Sequence, residues 1–422
     1  MENNYNKDTF CVAPWVGMHL STFENVIPCC LYKQERVFGK LKKGEPLTAH
    51  HNSEVAKDIR KRLWNGEKIA ECQECWFREE VSTTVDNPNS YRWHLNNRFG
   101  NRLNEILDNT NEDFSLKEVK LNLIDLRFDN KCNLRCRICS PTFSSALYKE
   151  YKDLGFTNFI DHGSPYNISV SDKEYEEILP QLHNVDVIFF AGGEPLTQDR
   201  YYHILQYCID NDLAKNITLW VTSNFTKIHY KDFDNIKMWS QFKEVEITAS
   251  IDGIEERGEY LRKGCTWSEV IANIEYLKEA NLPHVRFMIV PTVNIMNCYN
   301  VVDLYKSFMN KGYIKTSDCH FNLLTHPVHM QFKNLPASHK SRLKELYLDT
   351  IEWIYSLEYD KSNLDTDADK FHFLISLLDK EANQEELDLF VKRTLQVDKY
   401  RNDNFFGIFP EFQDLLDNYL EN

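Results

Sequence analysis

Three cysteines, Cys132, Cys136 and Cys139, stand in the run Lys-Cys-Asn-Leu-Arg-Cys-Arg-Ile-Cys-Ser with the spacing Cys-x3-Cys-x2-Cys. Thiolates this close in sequence can wrap one loop around a metal centre, but they supply only three protein ligands. A cubic 4Fe–4S cluster bound this way keeps one iron open to a small molecule. A structural zinc site closes instead with a fourth Cys or His. None follows closely here, since the next histidine is His162 and the next cysteine Cys208. The spacing points to an open iron–sulfur site.

A second group lies nearer the N-terminus: Cys11, Cys29, Cys30, Cys72 and Cys75. The Cys-x2-Cys pair Cys72 and Cys75 fixes two ligands, and Cys11 with Cys29 can complete a closed four-thiolate site. Cys30 is the alternative to Cys29, because neighbouring residues on a strand face opposite ways. On spacing alone these ligands hold structural zinc as readily as an iron–sulfur cluster.

Further polar groups fall where strands are expected to end. Gly192, Gly193, Glu194 and Pro195 follow one such run. Paired glycines let a ligand approach the backbone, and the carboxylate can accept hydrogen bonds from an amine. Ser223 and Asn224 follow the next run, and Ser250 and Asp252 the one after. Their short side chains suit a ribose or an amino-acid moiety, and equally suit capping of a helix after each strand. Cys265, Cys298 and Cys319 are candidate hydrogen-atom donors whose plainer reading is buried thiols.

These residues need a scaffold that gathers strand ends. β-rich runs at 121–128, 185–191, 217–222, 245–251, 285–293 and 320–325 alternate with amphipathic helical stretches at 143–154, 200–211, 267–280 and 301–310. Such alternation implies right-handed β-α-β crossovers and a parallel sheet. The expected fold is α/β, a partial (β/α)6 TIM-type barrel with its chemistry at the C-terminal strand ends. An open doubly wound sheet is the second architecture. Polar residues alternate with apolar ones, as at Asp125, Arg127 and Asp129, and at Glu246, Thr248, Ser250 and Asp252. In a barrel clothed by helices that polar face lines the lumen, which is then a binding cavity.

Around the barrel, expected over 118–328, the organisation is a small cysteine-rich cluster domain at 1–80, a helical connector at 81–117 and a helical C-terminal extension at 329–422. Residues 12–26 read as a β-hairpin ended by Pro28, residues 155–170 as a loop insertion, and Asn87-Pro88-Asn89 as a break. In the extension, helices expected at 340–357, 367–378 and 384–395 precede an aromatic run, Phe405, Phe406 and Phe409, suited to packing against the barrel.

Composition narrows the function class. The 422 residues are 42% apolar, with 21 Tyr and 26 Phe, which supports a substantial core. A net charge of −15 argues against nucleic-acid phosphates or anionic membranes as partners. No apolar run approaches a membrane span, and the first ten residues lack the order of a signal peptide. Cysteines grouped like ligands, without an export signal, read as metal chemistry in a reducing, cytoplasmic compartment.

The cysteine loop after the first strand and Gly192-Gly193-Glu194-Pro195 after the second resemble, in content and order, the radical S-adenosylmethionine (radical SAM) superfamily over roughly 121–327. The resemblance implies a 4Fe–4S cluster on Cys132, Cys136 and Cys139, with S-adenosyl-L-methionine chelated at the open iron. It implies that Gly192, Gly193, Glu194 and Pro195 bind the methionine amino group. Ser223 or Asn224 and Ser250 would sit near the ribose or carboxylate, and Arg262 is a candidate partner for the carboxylate. The residue before the last loop cysteine, usually aromatic in the family, is Ile138.

The N-terminal segment resembles the auxiliary-cluster domains called SPASM and twitch, with Cys-x2-Pro-Trp at Cys11, Pro-Cys-Cys ending at Cys30, and Cys-x2-Cys at Cys72. One set only is present, which resembles the twitch form and implies one auxiliary 4Fe–4S cluster. It precedes the barrel, where the family commonly places it after, and Glu24 and Asn25 stand where glycine is usual. The implied activity is reductive cleavage of S-adenosyl-L-methionine to a 5′-deoxyadenosyl radical that abstracts hydrogen from a small-molecule or peptide substrate. A reductase- or flavodoxin-type donor would supply the electron, and the auxiliary cluster would transfer electrons or bind substrate. A structural zinc module in the N-terminal segment, or a non-catalytic Fe–S protein, are the competing readings.

Overall fold

A computed structural model describes residues 5–21, 25–42, 45–46, 48–81, 90–156 and 172–421. Glu24, the break at Asn87, Pro88 and Asn89, and most of the 155–170 insertion lie outside the described residues.

In chain order the described strands are β1 (Gly17–Leu20), β2 (Asn25–Ile27), β3 (Gly39–Lys40), β4 (Leu123–Leu126), β5 (Arg135–Cys136), β6 (Val187–Phe190) and β7 (Thr218–Ser223). There follow β8 (His229–Tyr230), β9 (Phe233–Asp234), β10 (Glu244–Ala249), β11 (Arg262–Lys263), β12 (Val285–Ile289), β13 (Thr292–Val293) and β14 (Asn322–Leu323). Eight of them form one sheet in the order β12-β10-β7-β6-β4-β1-β2-β3. From β4 to β12 the order in space follows the order in the chain, as a β/α barrel requires. A doubly wound sheet would reverse direction partway. β4, β6 and β7 pair in parallel. The path continues past β12, because β13 pairs in parallel with β14 and Ile289 bridges Cys319 in the same sense. The fold is α/β with the strand order of a partial TIM-type barrel.

Burial follows the alternation. On β10, Val245, Ile247 and Ala249 are buried while Glu244, Glu246 and Thr248 are half-buried. No helix among the described residues is long and apolar enough to cross a membrane.

Two compact units divide the chain. One holds Met1–Asn130, Tyr166–Val221 and Lys237–Val245, and the other Lys131–Pro165, Thr222–Ile236 and Glu246–Asn422. In the first, β1 pairs in parallel with β4 and antiparallel with β2, so the N-terminal strands extend the main sheet. The hairpin expected from residue 12 begins only at Gly17, because Ala13–Val16 is a turn of helix. Pro14 sits in that first turn, where a missing N–H costs no helical hydrogen bond. Residues expected as a connector pack on the same segment: Asn96 accepts from Val12 N at 2.9 Å and donates to Phe10 O at 2.8 Å.

The second unit carries the helices Trp267–Ala280, Val301–Asn310, Ala337–Tyr355, Lys361–Leu378 and Gln384–Arg401. Phe405, Phe409 and Phe412 are buried, and Phe405 stacks on Phe409 at 4.8 Å and on Phe412 at 5.5 Å. Phe409 meets Tyr260 of the helix Glu255–Leu261 edge-on at 5.5 Å, so the aromatic run does pack.

Candidate functional site

The cysteine loop belongs to the second unit. β5 carries Cys136 and pairs antiparallel with β11, which sets Arg262 opposite Cys136. Arg262 NH1 lies 3.7 Å from Cys136 Sγ, and its NH2 lies 2.8 Å from Asp252. Burial works against charge on this guanidinium, but Asp252 and then the Cys136 sulfur outweigh it and hold the pKa above its ordinary value. The other Asp252 oxygen accepts from Thr292 N at 2.8 Å. At the loop's start, Leu134 N is 3.5 Å and Asn224 Nδ2 4.0 Å from Cys132 Sγ. Asn224 also donates to Asn133 Oδ1 at 2.9 Å. Cys132, Cys136, Cys139, Asn224, Asp252 and Arg262 are thus brought together.

This donor set fits an iron–sulfur cluster. Three thiols come from one loop, and N–H donors approach two of them, as hydrogen bonds to cluster sulfurs do. Burial first, then the neighbouring thiols Cys136 and Cys132, pushes the Cys139 thiol up. Cluster binding at these thiols must therefore release protons.

Ser223 and Asn224 also close turns. Ser223 Oγ accepts from Phe225 N at 2.9 Å, and Asn224 Oδ1 from Thr226 N at 3.0 Å. Ser250 N donates to Ser223 O at 2.8 Å. The turns that Ser223 and Asn224 close precede β8, so neither residue caps a helix as the sequence allowed.

Gly192, Gly193, Glu194 and Pro195 belong to the first unit. The glycines have φ of +80° and +53°, which few L side chains adopt. A Cβ on Gly192 would also meet Arg127 Cβ at 3.1 Å. Glu194 is buried, and one carboxylate oxygen accepts from Leu196 N at 3.1 Å. Because Leu126 of β4 pairs with Phe190 of β6, this turn and the chain entering the cysteine loop leave the sheet at the same, C-terminal end.

Cys11, Cys29, Cys72 and Cys75 line one pocket with Tyr32, Trp76 and Tyr91. Cys30 does not; it faces Asp125 and Arg127. Burial, then Cys75, pushes the Cys11 thiol up to about 12. Among the described residues no three His, Cys, Asp or Glu are set closely enough to hold a single metal ion. Four thiols lining one pocket are a donor set that either a four-cysteine zinc or an auxiliary iron–sulfur cluster uses.

Sequence reasoning missed the partners of Asp125. This carboxylate is 2% exposed, 2.7 Å from His19 Nδ1 and 3.1 Å from Arg127 Nε. The ladder sets His19, Asp125, Phe189 and Trp220 side by side across β1, β4, β6 and β7. Arg127 lies over Phe189 at 5.7 Å, and Trp220 meets both Phe189 and Tyr91 edge-on. Alternation in β6 and β7 could have flagged Phe189 and Trp220; nothing local flags His19.

Residues 126–304 match the family model described as the Radical SAM superfamily. No curated protein matches the chain. Among solved structures, anSMEcpe with bound AdoMet and Cp18Cys peptide is 20% identical, with a TM-score of 0.37, over 55% of this chain and 59% of that one. Native anSMEcpe with bound AdoMet is 21% identical over 55% and 60%, TM-score 0.39. Streptococcus suis SuiB bound to precursor peptide SuiA is 15% identical over 81% and 69%, TM-score 0.38. The chain spans about three fifths of the anSMEcpe chains it matches. Residues 126–304, with the cysteine loop just inside their N-terminal edge, are the stretch that matches the radical SAM family model, which covers less than half of the chain.

Proposed function

We propose that the chain is a radical SAM enzyme whose 4Fe–4S cluster is held by Cys132, Cys136 and Cys139. The observation that carries this reading is the approach of Arg262 and Asn224 to two of those sulfurs within the matched domain. When bound, the cluster supplies one electron to S-adenosyl-L-methionine, and the 5′-deoxyadenosyl radical released takes a hydrogen atom from substrate. The chain's own work is binding and positioning. Gly192 and Gly193 offer backbone to the methionine amino group, and Glu194 supplies a buried carboxylate beside it. Ser223, Asn224 and Ser250 border the ribose or carboxylate. Arg262 holds positive charge beside Cys136 and would partner the cosubstrate carboxylate.

The auxiliary 4Fe–4S cluster is assigned to Cys11, Cys29, Cys72 and Cys75, for electron transfer or substrate binding. Structural zinc remains the competing metal there. We assign the domains as 1–80, 81–117, 118–328 and 329–422, a small-molecule or peptide substrate, a reductase- or flavodoxin-type donor and no nucleic-acid or membrane partner. All twelve cysteines are free thiols, in keeping with a reducing, cytoplasmic compartment.

The test is anaerobic reconstitution followed by reduction with dithionite. The wild type is expected to form 5′-deoxyadenosine and methionine from S-adenosyl-L-methionine, and Cys136→Ala to form none above background. Wild-type protein with a full cluster that never cleaves the cosubstrate would sink the enzyme reading. Stoichiometric zinc, with iron for one cluster only, would remove the auxiliary assignment alone.

A further inference from the structure

The C-terminal extension also grips the cysteine loop. Arg137, between Cys136 and Cys139, has a side chain only 3% exposed. Its NH2 donates to Asp398 Oδ1 at 2.5 Å and to Asp403 Oδ2 at 3.0 Å. The guanidinium lies over the Tyr260 ring, 4.1 Å from its centroid. Tyr260 OH donates to the same Asp398 oxygen at 2.7 Å, and the other oxygen accepts from Phe405 N at 2.6 Å. Lys263 Nζ meets Asp403 Oδ1 at 2.6 Å. Two cations and two carboxylates therefore close on each other with little water present.

A second grip lies just past the loop. Arg401 donates to both oxygens of buried Glu150, at 2.8 and 2.7 Å, and Arg135 NH1 lies 3.7 Å from the same carboxylate. Glu150 sits on the helix Tyr148–Asp153, whose Tyr151 OH donates to Cys139 O at 2.8 Å. Asp398, Arg401 and Asp403 all come from the end of the helix Gln384–Arg401 and the left-handed turn at Asn402 that follows. Apolar contact could dock an extension as firmly, since buried ion pairs roughly offset their own desolvation. What such pairs add is register: each charge tolerates one position only.

We propose that Arg137, Asp398 and Asp403 are positioning residues, and that the C-terminal extension braces the cysteine loop so that Cys136 and Cys139 keep the geometry a cluster needs. The proposal rests on the reading of that loop as the cluster site. The brace acts on the loop backbone, through the hydrogen bond of Arg137 N to Leu261 O at 2.8 Å and the side-chain pairs together.

The experiment measures iron, reduced-state EPR and midpoint potential of the reconstituted full chain. Wild type should hold about eight irons, and the triple variant Cys132→Ala/Cys136→Ala/Cys139→Ala about four. Asp398→Asn and Asp403→Asn should fall toward about four with the auxiliary signal intact, and Arg137→Lys should keep more iron than Arg137→Met. In the fraction still loaded, Arg137→Met should lower the potential of the three-cysteine cluster and Asp403→Asn should raise it. A packing defect would not give opposite signs. If the triple variant binds as much iron as wild type, the cluster reading fails rather than the brace. Asparagine variants with wild-type iron and potential overturn the brace. Should Asp398→Asn lose both clusters, Asp403→Asn decides, since it leaves the Tyr260 and Phe405 contacts in place: selective loss supports the brace, and retention or loss of both overturns it.

Discussion

Asp125 keeps its negative charge where burial alone would remove it. Burial pushes its pKa up, but Arg127 and then His19 outweigh this and bring it to about 2, against an ordinary 3.8. A depressed carboxylate pKa adds stability that is present above the unfolded value and is lost as pH falls through the folded one. The contribution is about 2 kcal/mol at neutral pH. Removing the carboxylate also strands a largely buried guanidinium. Asp125→Asn should destabilise the protein by roughly 3 kcal/mol, near the low end for a broken buried pair because Arg127 keeps some exposure. In urea melts the gap between variant and wild type should narrow as pH drops from about 4 toward 2. A gap that stays constant over that window would mean the ion pair is not its source.

At the scale of elements, β1 is the strand that joins the segments carrying Cys11 and Cys29. It lies between β4 and β2, hydrogen-bonded on each side. The helical turn Ala13–Val16 links it to Cys11, and β2 leads on to Cys29. Met18 is buried and pairs with Ile124 of β4. Met18→Pro would put a residue that cannot donate to the ladder into a strand paired on both edges, which sheets do not tolerate. Auxiliary iron should be lost first, because its ligands flank the broken strand. Measured iron per chain and the auxiliary EPR signal check this; undiminished auxiliary iron in a folded variant would show that β1 does not set the pocket.

At the scale of the whole molecule, the C-terminal helices cover apolar surface of the second unit. Tyr305 meets Trp353 and Phe371 edge-on, and Phe371 also meets Phe321. Buried Asp367 accepts from Tyr305 OH at 2.6 Å and from Ser317 N at 3.1 Å. A chain ending at residue 328 would strip the cover from Tyr305 and Phe321 and leave Arg137 without its carboxylates. Such exposed apolar surface drives association. The shortened chain should elute as aggregate and bind ANS; a soluble monomer that loads its three-cysteine cluster would refute this.

Much of the barrel was legible because its signals are local. The apolar runs and the helices between them follow from period two against period 3.6, and Trp267–Ala280 and Val301–Asn310 fall where the sequence placed them. Cys132, Cys136 and Cys139 announced a ligand set through spacing alone, as did the turn that needs glycine at residues 192 and 193. Residues 13–16 misled because Ala-Pro-Trp-Val is a short apolar run, which a buried strand shows as readily as a helix, while a proline in the first turn of a helix carries no local penalty.

By itself the sequence determined which thiols stand together in the loop and the order of strand ends, since both are written in neighbouring residues. Only the tertiary structure decided that Cys29 rather than Cys30 turns into the four-thiol pocket, and that His19 is the partner of Asp125. The same is true of the carboxylates on Arg137. Those outcomes depend on strand register and on pairings between residues far apart in the chain. Such contacts arise when packing selects one neighbour among many of the same chemical type, a choice that leaves no periodic trace.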